Sequence, residues 1–387
     1  MTILEEINKM FIKLFSTHEV SRLHRRASYL PIFYRSEKLG LAWEQSHALN
    51  ISESGANIET FHRFSQGDEI EFEMGHHANG FQEILKITAE VRWITEDENK
   101  PGQYKCGIAF KNKQVRFRRE DDLFYSLADM HCPLLDLFSN KSDMHPARSV
   151  EDLQAAYRLL YQEYSARKLC KPNEAEMFYS YYNLLPGSRT FLLTRAQEVL
   201  GTVGCYPESP CGLPMEITYP QEIKKLREQG MKLIEVGCLA LNSKYFDKGK
   251  WSLMNIEKQA HLFKLFKTII NYTRLYSGAT DMVIGCHPKH QKLYQYIFFE
   301  TIGEIRTHSA VQGTAVLMKM NFEHFVRNTI LLQSKSGGYI LDKVDTEMLK
   351  AHFPWTAQVV DKFLHSIRPL WDKLSPAQKE YLKLCYY

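Results

Sequence analysis

At 387 residues, with 44% hydrophobic and 24% charged side chains, the chain is too long for one core and too apolar for a disordered protein. Its formal net charge of +4 is too small to argue for nucleic acid. Eight Cys without a CxxC pair suit a reducing, cytoplasmic setting and speak against a structural zinc site. Glu5 and Glu6 stand where a signal peptide would need an apolar core, and no apolar run reaches the ~20 residues of a membrane-spanning helix.

Residues 1–19 place Ile3, Leu4, Ile7, Met10, Phe11, Leu14 and Phe15 on one helical stripe. Such a stripe suits packing on its own domain, on a second copy in a homodimer, or on the surface of the inner membrane; the two acids weigh against the last. From residue 20 to 138 short alternating segments are divided by turns: LPIFYR, LGLAWE, GANIETF, DEIEFEM, ILKITAEVRWI and YKCGIAF. Their spacing predicts a small antiparallel β-barrel, with a trailing helix over 116–137. The polar, Pro-containing stretch 139–148 reads as a linker.

The second half, 149–322, opens with two expected helices, SVEDLQAAYRLLYQEYSARK with Ser149 and Asp152 set for a capping box, and NEAEMFYSYYNLL. FLLTRAQEVLGTVGCYP reads as a hairpin turning near Ala196-Gln197-Glu198. KLIEVGCLAL is a buried strand carrying the acid Glu235 and Gly237; a long helix and a second buried strand, DMVIGC, follow. That strand runs into His287-Pro288-Lys289-His290, with Tyr294 a turn later, and GTAVLMKMNF supplies a last strand. A strand glycine often marks a bulge, and a carboxylate in a core is costly without a task or a partner. The pattern predicts a cleft between two diverging strands, with an acid on one wall and His and Tyr on the other. Residues 323–387 read as a helical extension, Ser375-Pro376 with Gln378 opening one helix.

Arg22, Arg25 and Arg26 precede the first barrel strand, and Asn50, Ser52 and Gly55 follow the second. Arg22 and Arg26 resemble the RxxxR motif of the PilZ domain, and Asn50, Ser52 and Gly55 its [D/N]xSxxG motif; GIAF at 107–110 resembles the family's last barrel strand. The resemblance implies binding of cyclic di-GMP as a regulatory ligand. The chemistry suits it: guanidinium groups fork onto phosphate oxygens and onto the O6/N7 edge of guanine, and glycine admits close backbone approach. Read without the resemblance, the same residues are a solvated basic segment and an Asn-Ser turn.

The order of elements over 149–322 resembles the GNAT acyltransferase superfamily, and IEVGCLAL with VIGCHPKHQKLYQYIFFETIGEIR is most similar to N-acyl amino acid synthases of the FeeM type. The fold class implied is multidomain: a PilZ-like barrel, then an α/β GNAT-like domain with a carboxy-terminal helical extension. The resemblance implies transfer of a long-chain acyl group from acyl carrier protein to the amino group of an amino acid, with no catalytic cofactor. The segment NSKYFDKGKWSLMN lacks the R/QxxGxG/A spacing that holds a CoA pyrophosphate. Lys244, Lys248, Lys250, Lys289 and Lys292 offer a basic rim for an acidic carrier, or only a solvated face.

Glu235 is the expected base, or a charge that holds the substrate ammonium. Backbone amides near Gly237 and Cys238 are the expected oxyanion donors. The family places an acid for the leaving thiolate at Tyr294 and a pantetheine contact at His287. Other readings stand beside these: Glu235 paired with a core cation, His287 and His290 capping the next helix, and Cys238 either a nucleophile or a core residue. No metal is expected, since no acid or HExxH accompanies the two His. A non-catalytic adaptor binding lipid or carrier is an alternative. An acyl-homoserine-lactone-type synthase is disfavoured, because Gly237-Cys238 replaces the Ser-Arg usual after the acid.

Overall fold

The computed structural model describes residues 26–51, 55–78, 81–97, 100–111, 142–246, 252–308, 311–366 and 370–387, which fall into two compact units. The helices expected over 3–15 and 116–137 lie outside these residues, as do Arg22, Arg25, Ser52, Lys248 and Lys250.

The first unit is a closed barrel of β1 (Arg26–Ser36), β2 (Leu41–Ile51), β3 (Gly55–Thr60), β4 (Glu69–Ala78), β5 (Phe81–Glu96) and β6 (Tyr104–Phe110), in the order β1-β2-β3-β6-β5-β4. Alternation decides which side chains fill it: Ala56, Ile58 and Thr60 of β3 point inward to meet Ile32, Phe72, Val91 and Ile108. Inside, Tyr34 donates to Glu44 (2.7 Å) and accepts from Thr60 (3.1 Å), so its hydroxyl is satisfied. All six expected strands are present.

The second unit is built on an eight-stranded sheet, β12-β14-β11-β10-β9-β8-β7, with β13 also paired to β14. Its strands are β7 (Asp143–Pro146), β8 (Arg189–Arg195), β9 (Glu198–Pro207), β10 (Leu233–Leu241), β11 (Asp281–Cys286), β12 (Glu300–Thr301), β13 (Arg306–His308) and β14 (Gly313–Asn321). The expected linker 139–148 therefore contributes an edge strand, paired from Asp143↔Thr194 to Pro146↔Phe191. The β8–β9 hairpin turns on Ala196 and Gln197, both in the left-handed region (φ 47° and 69°), as a two-residue loop of matching twist requires.

Helices cover both faces. On one, α3 (Ser252–Tyr276) packs Phe263, Phe266, Ile269 and Ile270 against Phe191, Val203 and Ile284. On the other, α1 (Val150–Ala166) packs Leu153, Tyr157 and Leu160 against Leu192 and Tyr206. Consecutive residues Phe191 and Leu192 serve opposite cores, which is the strand period at work. The Ser149 hydroxyl accepts from Asp152 N (3.1 Å), but the Asp152 carboxylate takes Arg148 N (2.8 Å), one residue before the expected cap. A short helix, α2 (Pro220–Glu228), precedes β10, and α4 (Gln291–Tyr296) follows β11.

The second expected helix, NEAEMFYSYYNLL, is not one; only Tyr181–Leu184 make a 3₁₀ turn. Its aromatic side chains have better partners in irregular backbone. Tyr179 lies 4.8 Å from Tyr157 and 5.4 Å from Phe363, ring to ring, and Phe178 N bonds Tyr157 O (2.9 Å). Tertiary packing overrides a weak propensity here. Beyond β14, α5 (Phe322–Leu331), α6 (Ala357–Ser366) and α7 (Pro376–Tyr386) carry the extension, and the Ser375/Gln378 capping box is formed.

Gly55 has a packing duty of its own: a Cβ there would collide with the Ile108 carbonyl on the neighbouring strand β6. Gly55→Ala is expected to cost the barrel about 1–3 kcal/mol. Urea unfolding checks it; an unchanged midpoint would show that the two strands can part at no cost.

Candidate functional site

Strands β10 and β11 pair in parallel only from Leu233↔Asp281 to Val236↔Ile284, although β10 runs on to Leu241 and β11 to Cys286. On its other side β10 is out of register with β9 between Gly237↔Gly204 and Ala240↔Thr202. Two residues, Cys238 and Leu239, thus stand opposite Val203, and Cys238 takes φ 51°. This is the bulge expected at Gly237–Cys238. It turns β10 away from β11 and opens the sheet.

A cavity of about 500 Å³ fills the opening. Glu235, Gly237, Cys238, His287, His290 and Tyr294 all line it, so six positions singled out in the sequence meet in one place. One part of the wall is apolar: Leu262, Phe266, Ile269 and Ile270 of α3 with Met282 and Phe299. The other is mixed, with Ser180, Tyr182, Tyr206, Met215 and His308 around Glu235. Of the aromatics Tyr179, Tyr181, Tyr182, Phe191 and Phe263, only Tyr182 reaches the cavity; the other four are core.

Glu235 is 4% exposed, and its Oε2 accepts one hydrogen bond, from Met215 N at 2.8 Å. Among the described residues no cation pairs with it. Arg227 is instead forked onto Glu216 (2.7 Å through each amino nitrogen) and onto Glu208 (2.6 Å). Burial pushes the Glu235 carboxyl up to about 8; the Met215 bond opposes the rise and the charge of Glu216 adds to it. The reading of Glu235 as half of a core ion pair therefore fails.

The Cys238 thiol accepts from the Tyr206 hydroxyl (2.8 Å), which in turn accepts from Asn183 Nδ2 (3.1 Å). Burial holds the Cys238 thiol above its ordinary range. A thiol that stays protonated and is already engaged is a poor nucleophile. Tyr294 packs on Phe266 (5.7 Å) and Phe299 (5.5 Å), and its hydroxyl has no partner among the described residues. Burial raises its proton affinity, so it stays a donor. His287 is exposed at the rim, where its Nδ1 accepts Lys289 N (3.2 Å) and Pro288 opens the 3₁₀ turn. The helix-cap reading of His287 is correct; His290 makes no side-chain cap. Among the described residues no group of three or more His, Cys, Asp or Glu is placed to hold a metal.

Several residues at the site carry no sequence signal. Glu163 of α1, 3% exposed, accepts Ser243 N and the Ser243 hydroxyl (both 2.8 Å) and an Arg167 amino group (2.6 Å). It ties the end of α1 to the residue just past β10. Arg167 and Lys258 line the cavity, whereas Lys244, Lys289 and Lys292 are exposed and do not. The Glu163–Arg167 spacing of four is visible in the sequence, but its third member lies 80 residues away.

In the barrel, Arg26 lies opposite Ile51 and Ala27 opposite Asn50, which brings the ends of the two basic and polar motifs side by side on β1 and β2.

Residues 155–321 match the family model described as N-acyl amino acid synthase FeeM, and residues 21–123 match the PilZ domain. No curated protein matches the chain significantly. Among solved structures, the chain is similar to FeeM, an N-acyl amino acid synthase from uncultured soil microbes, at 22% identity over 50% of this chain and 96% of that chain, TM-score 0.42. It is also similar to the AHL synthase LasI (16% identity, 47% and 89% covered, TM-score 0.35). Escherichia coli ElaA is a third (12% identity, 46% and 99% covered, TM-score 0.31).

The sign of the Glu235 shift gives a stability test. Its folded state binds the proton more tightly than the unfolded chain, so its contribution to stability is present below the ordinary 4.5 and is lost as pH rises through about 8. Glu235→Gln keeps an acceptor for Met215 N and removes the charge. It is expected to match wild type near pH 4 and to be more stable above pH 8, by urea unfolding at the two pH values. A variant less stable than wild type at the higher pH would contradict a carboxylate without a cation.

Proposed function

We propose that this chain, which joins a PilZ domain to an acyltransferase domain of the N-acyl amino acid synthase type, moves a long-chain acyl group from a carrier-protein thioester to an amino acid's nitrogen. The observation that carries the reading is Glu235: a buried carboxyl with no cation partner among the described residues, facing a cavity that has one apolar and one polar wall. In this scheme the acyl chain lies along Leu262, Phe266, Ile269 and Ile270. The amine sits by Glu235, whose raised proton affinity makes the carboxylate a base matched to an ammonium at neutral pH.

As the nitrogen attacks, the thioester carbonyl becomes an oxyanion, and backbone N–H groups at the Cys238–Leu239 bulge are the donors for it. Cys238 acts through its main chain rather than its sulfur. Glu235 takes one proton from the ammonium before attack; as the C–S bond breaks, the Tyr294 hydroxyl, without another partner among the described residues, gives its proton to the departing sulfur and regains one from the adduct's nitrogen. His287 stands at the rim beside the donor's path. The carrier rather than CoA is supported by Glu163. Its carboxylate takes the Ser243 N–H, two residues past β10, where an incoming diphosphate would meet a like charge instead of an open amide.

The barrel in this reading senses cyclic di-GMP, with Arg22, Arg25, Arg26, Asn50 and Ser52 as the ligand groups and Gly55 giving close backbone approach. The nucleotide changes the rate of acyl transfer. Gly55 also has the packing duty described above, so its presence supports the barrel more than the ligand.

Acyl carrier thioester and mixed amino acids are expected to yield N-acyl amino acids detectable by mass spectrometry. Glu235→Gln is expected to lower kcat/KM by about 10²–10⁴-fold and to remove the rise in rate through pH 8 that wild type shows. A wild-type level of product from that variant would refute Glu235 as base. Turnover with and without saturating cyclic di-GMP tests the regulation, and identical rates would refute it.

A further inference from the structure

Apart from histidines, two cations line the described part of the cavity, Arg167 and Lys258. Arg167 follows the last turn of α1 and is half-exposed. Its Nη1 is fixed, donating to the Glu163 backbone carbonyl (2.7 Å) and to the Glu163 carboxylate (2.6 Å). Its Nη2 and Nε have no partner among the described residues. Glu163 is in turn locked by Ser243, just past β10. The guanidinium is thus clamped by one edge next to the end of β10, with the other edge free. His290, beyond the end of β11, lines the same cavity as Arg167. Arg167 therefore stands where the diverging strands leave the sheet, away from the base in mid-strand.

We propose that Arg167, with Lys258, is an anion-binding station for the phosphodiester of the donor's phosphopantetheine arm. The Glu163–Arg167 pair is neutral, so the free edge meets one phosphodiester charge without the repulsion that the several charges of a free nucleotide donor would face beside Glu163. A fixed fork loses little side-chain freedom on binding, which a solvated surface lysine cannot match. The proposal rests on the reading of the donor as a carrier-linked thioester. It adds a residue that anchors the arm and so sets how far the thioester reaches toward Glu235.

The test uses the full chain and two soluble donors, an acyl-pantetheine and the same thioester carrying the 4′-phosphate as its methyl diester, which bears the single charge of the carrier linkage. Wild type is expected to favour the phosphorylated donor about 10- to 100-fold in kcat/KM, the range of a hydrogen bond to a charged group. Arg167→Met is expected to bring that ratio close to one. Lys258→Met, which leaves the Glu163 bonds intact, is expected to lower the ratio partway. Equal losses on both donors, or a loss confined to KM for the amino acid, would overturn the station. Calorimetric binding of 4′-phosphopantetheine against pantetheine reads the station without turnover. If no thioester reacts yet the phosphorylated arm still binds preferentially through Arg167, the acyl-transfer reading fails and the station stands.

Discussion

A carboxyl group enclosed by the sheet, with one backbone N–H as its hydrogen-bond partner, is the constraint from which the chemistry of the second unit follows. An isolated buried carboxylate is expensive, and the protein meets the cost by letting Glu235 hold its proton to about 8 rather than by supplying a cation. Arg227, on the helix that precedes β10, is paired with Glu216 and Glu208. Stability is given up at one position to leave a group whose proton is exchangeable near neutral pH, the pattern expected of functional sites.

The same strand supplies the space. Parallel pairing with β11 stops at Val236↔Ile284, and the bulge at Cys238–Leu239 follows at once on the β9 side. Losing register on both flanks within a few residues lets β10 swing out, so the sheet is open where α3 and α1 would otherwise be separated by it. The cavity borrows apolar wall from the α3 core and polar wall from the α1 side. The Glu163–Ser243 tie holds the far end of β10 and closes the amides beyond it. It makes the sheet's opening a defined slot rather than a frayed edge.

Much of this was legible in the chain. KLIEVGCLAL and DMVIGC are apolar runs of strand length, the first with Glu235 and Gly237 in mid-strand where a core has no use for them, and both strands lie where expected. The barrel strands were readable because each shows alternation bounded by turn residues, as in GANIET. What failed has physical causes. NEAEMFYSYYNLL carries helix-like spacing, but Tyr157 and Phe363, distant in sequence, bind its aromatic rings better in an irregular chain. Asp143–Pro146 looks like a linker because an edge strand of four residues needs only one partner and shows no pattern of its own. Glu163, Tyr206 and Asn183 were invisible as site residues, since each is ordinary until the fold brings its partner from 20 to 80 positions away. Gly55 was read for ligand approach, and the Ile108 carbonyl beside it requires a glycine there as well.

Direct observation of the Glu235 proton bears most closely on all of this. Infrared difference spectra between the wild-type chain and Glu235→Gln isolate its carboxyl stretch across a pH series. A protonated C=O band present in neutral solution and titrating away near pH 8 is the expected result. A difference spectrum showing only carboxylate bands at neutral pH would contradict it, because the group would then be an ordinary ionised acid with no claim to be the base.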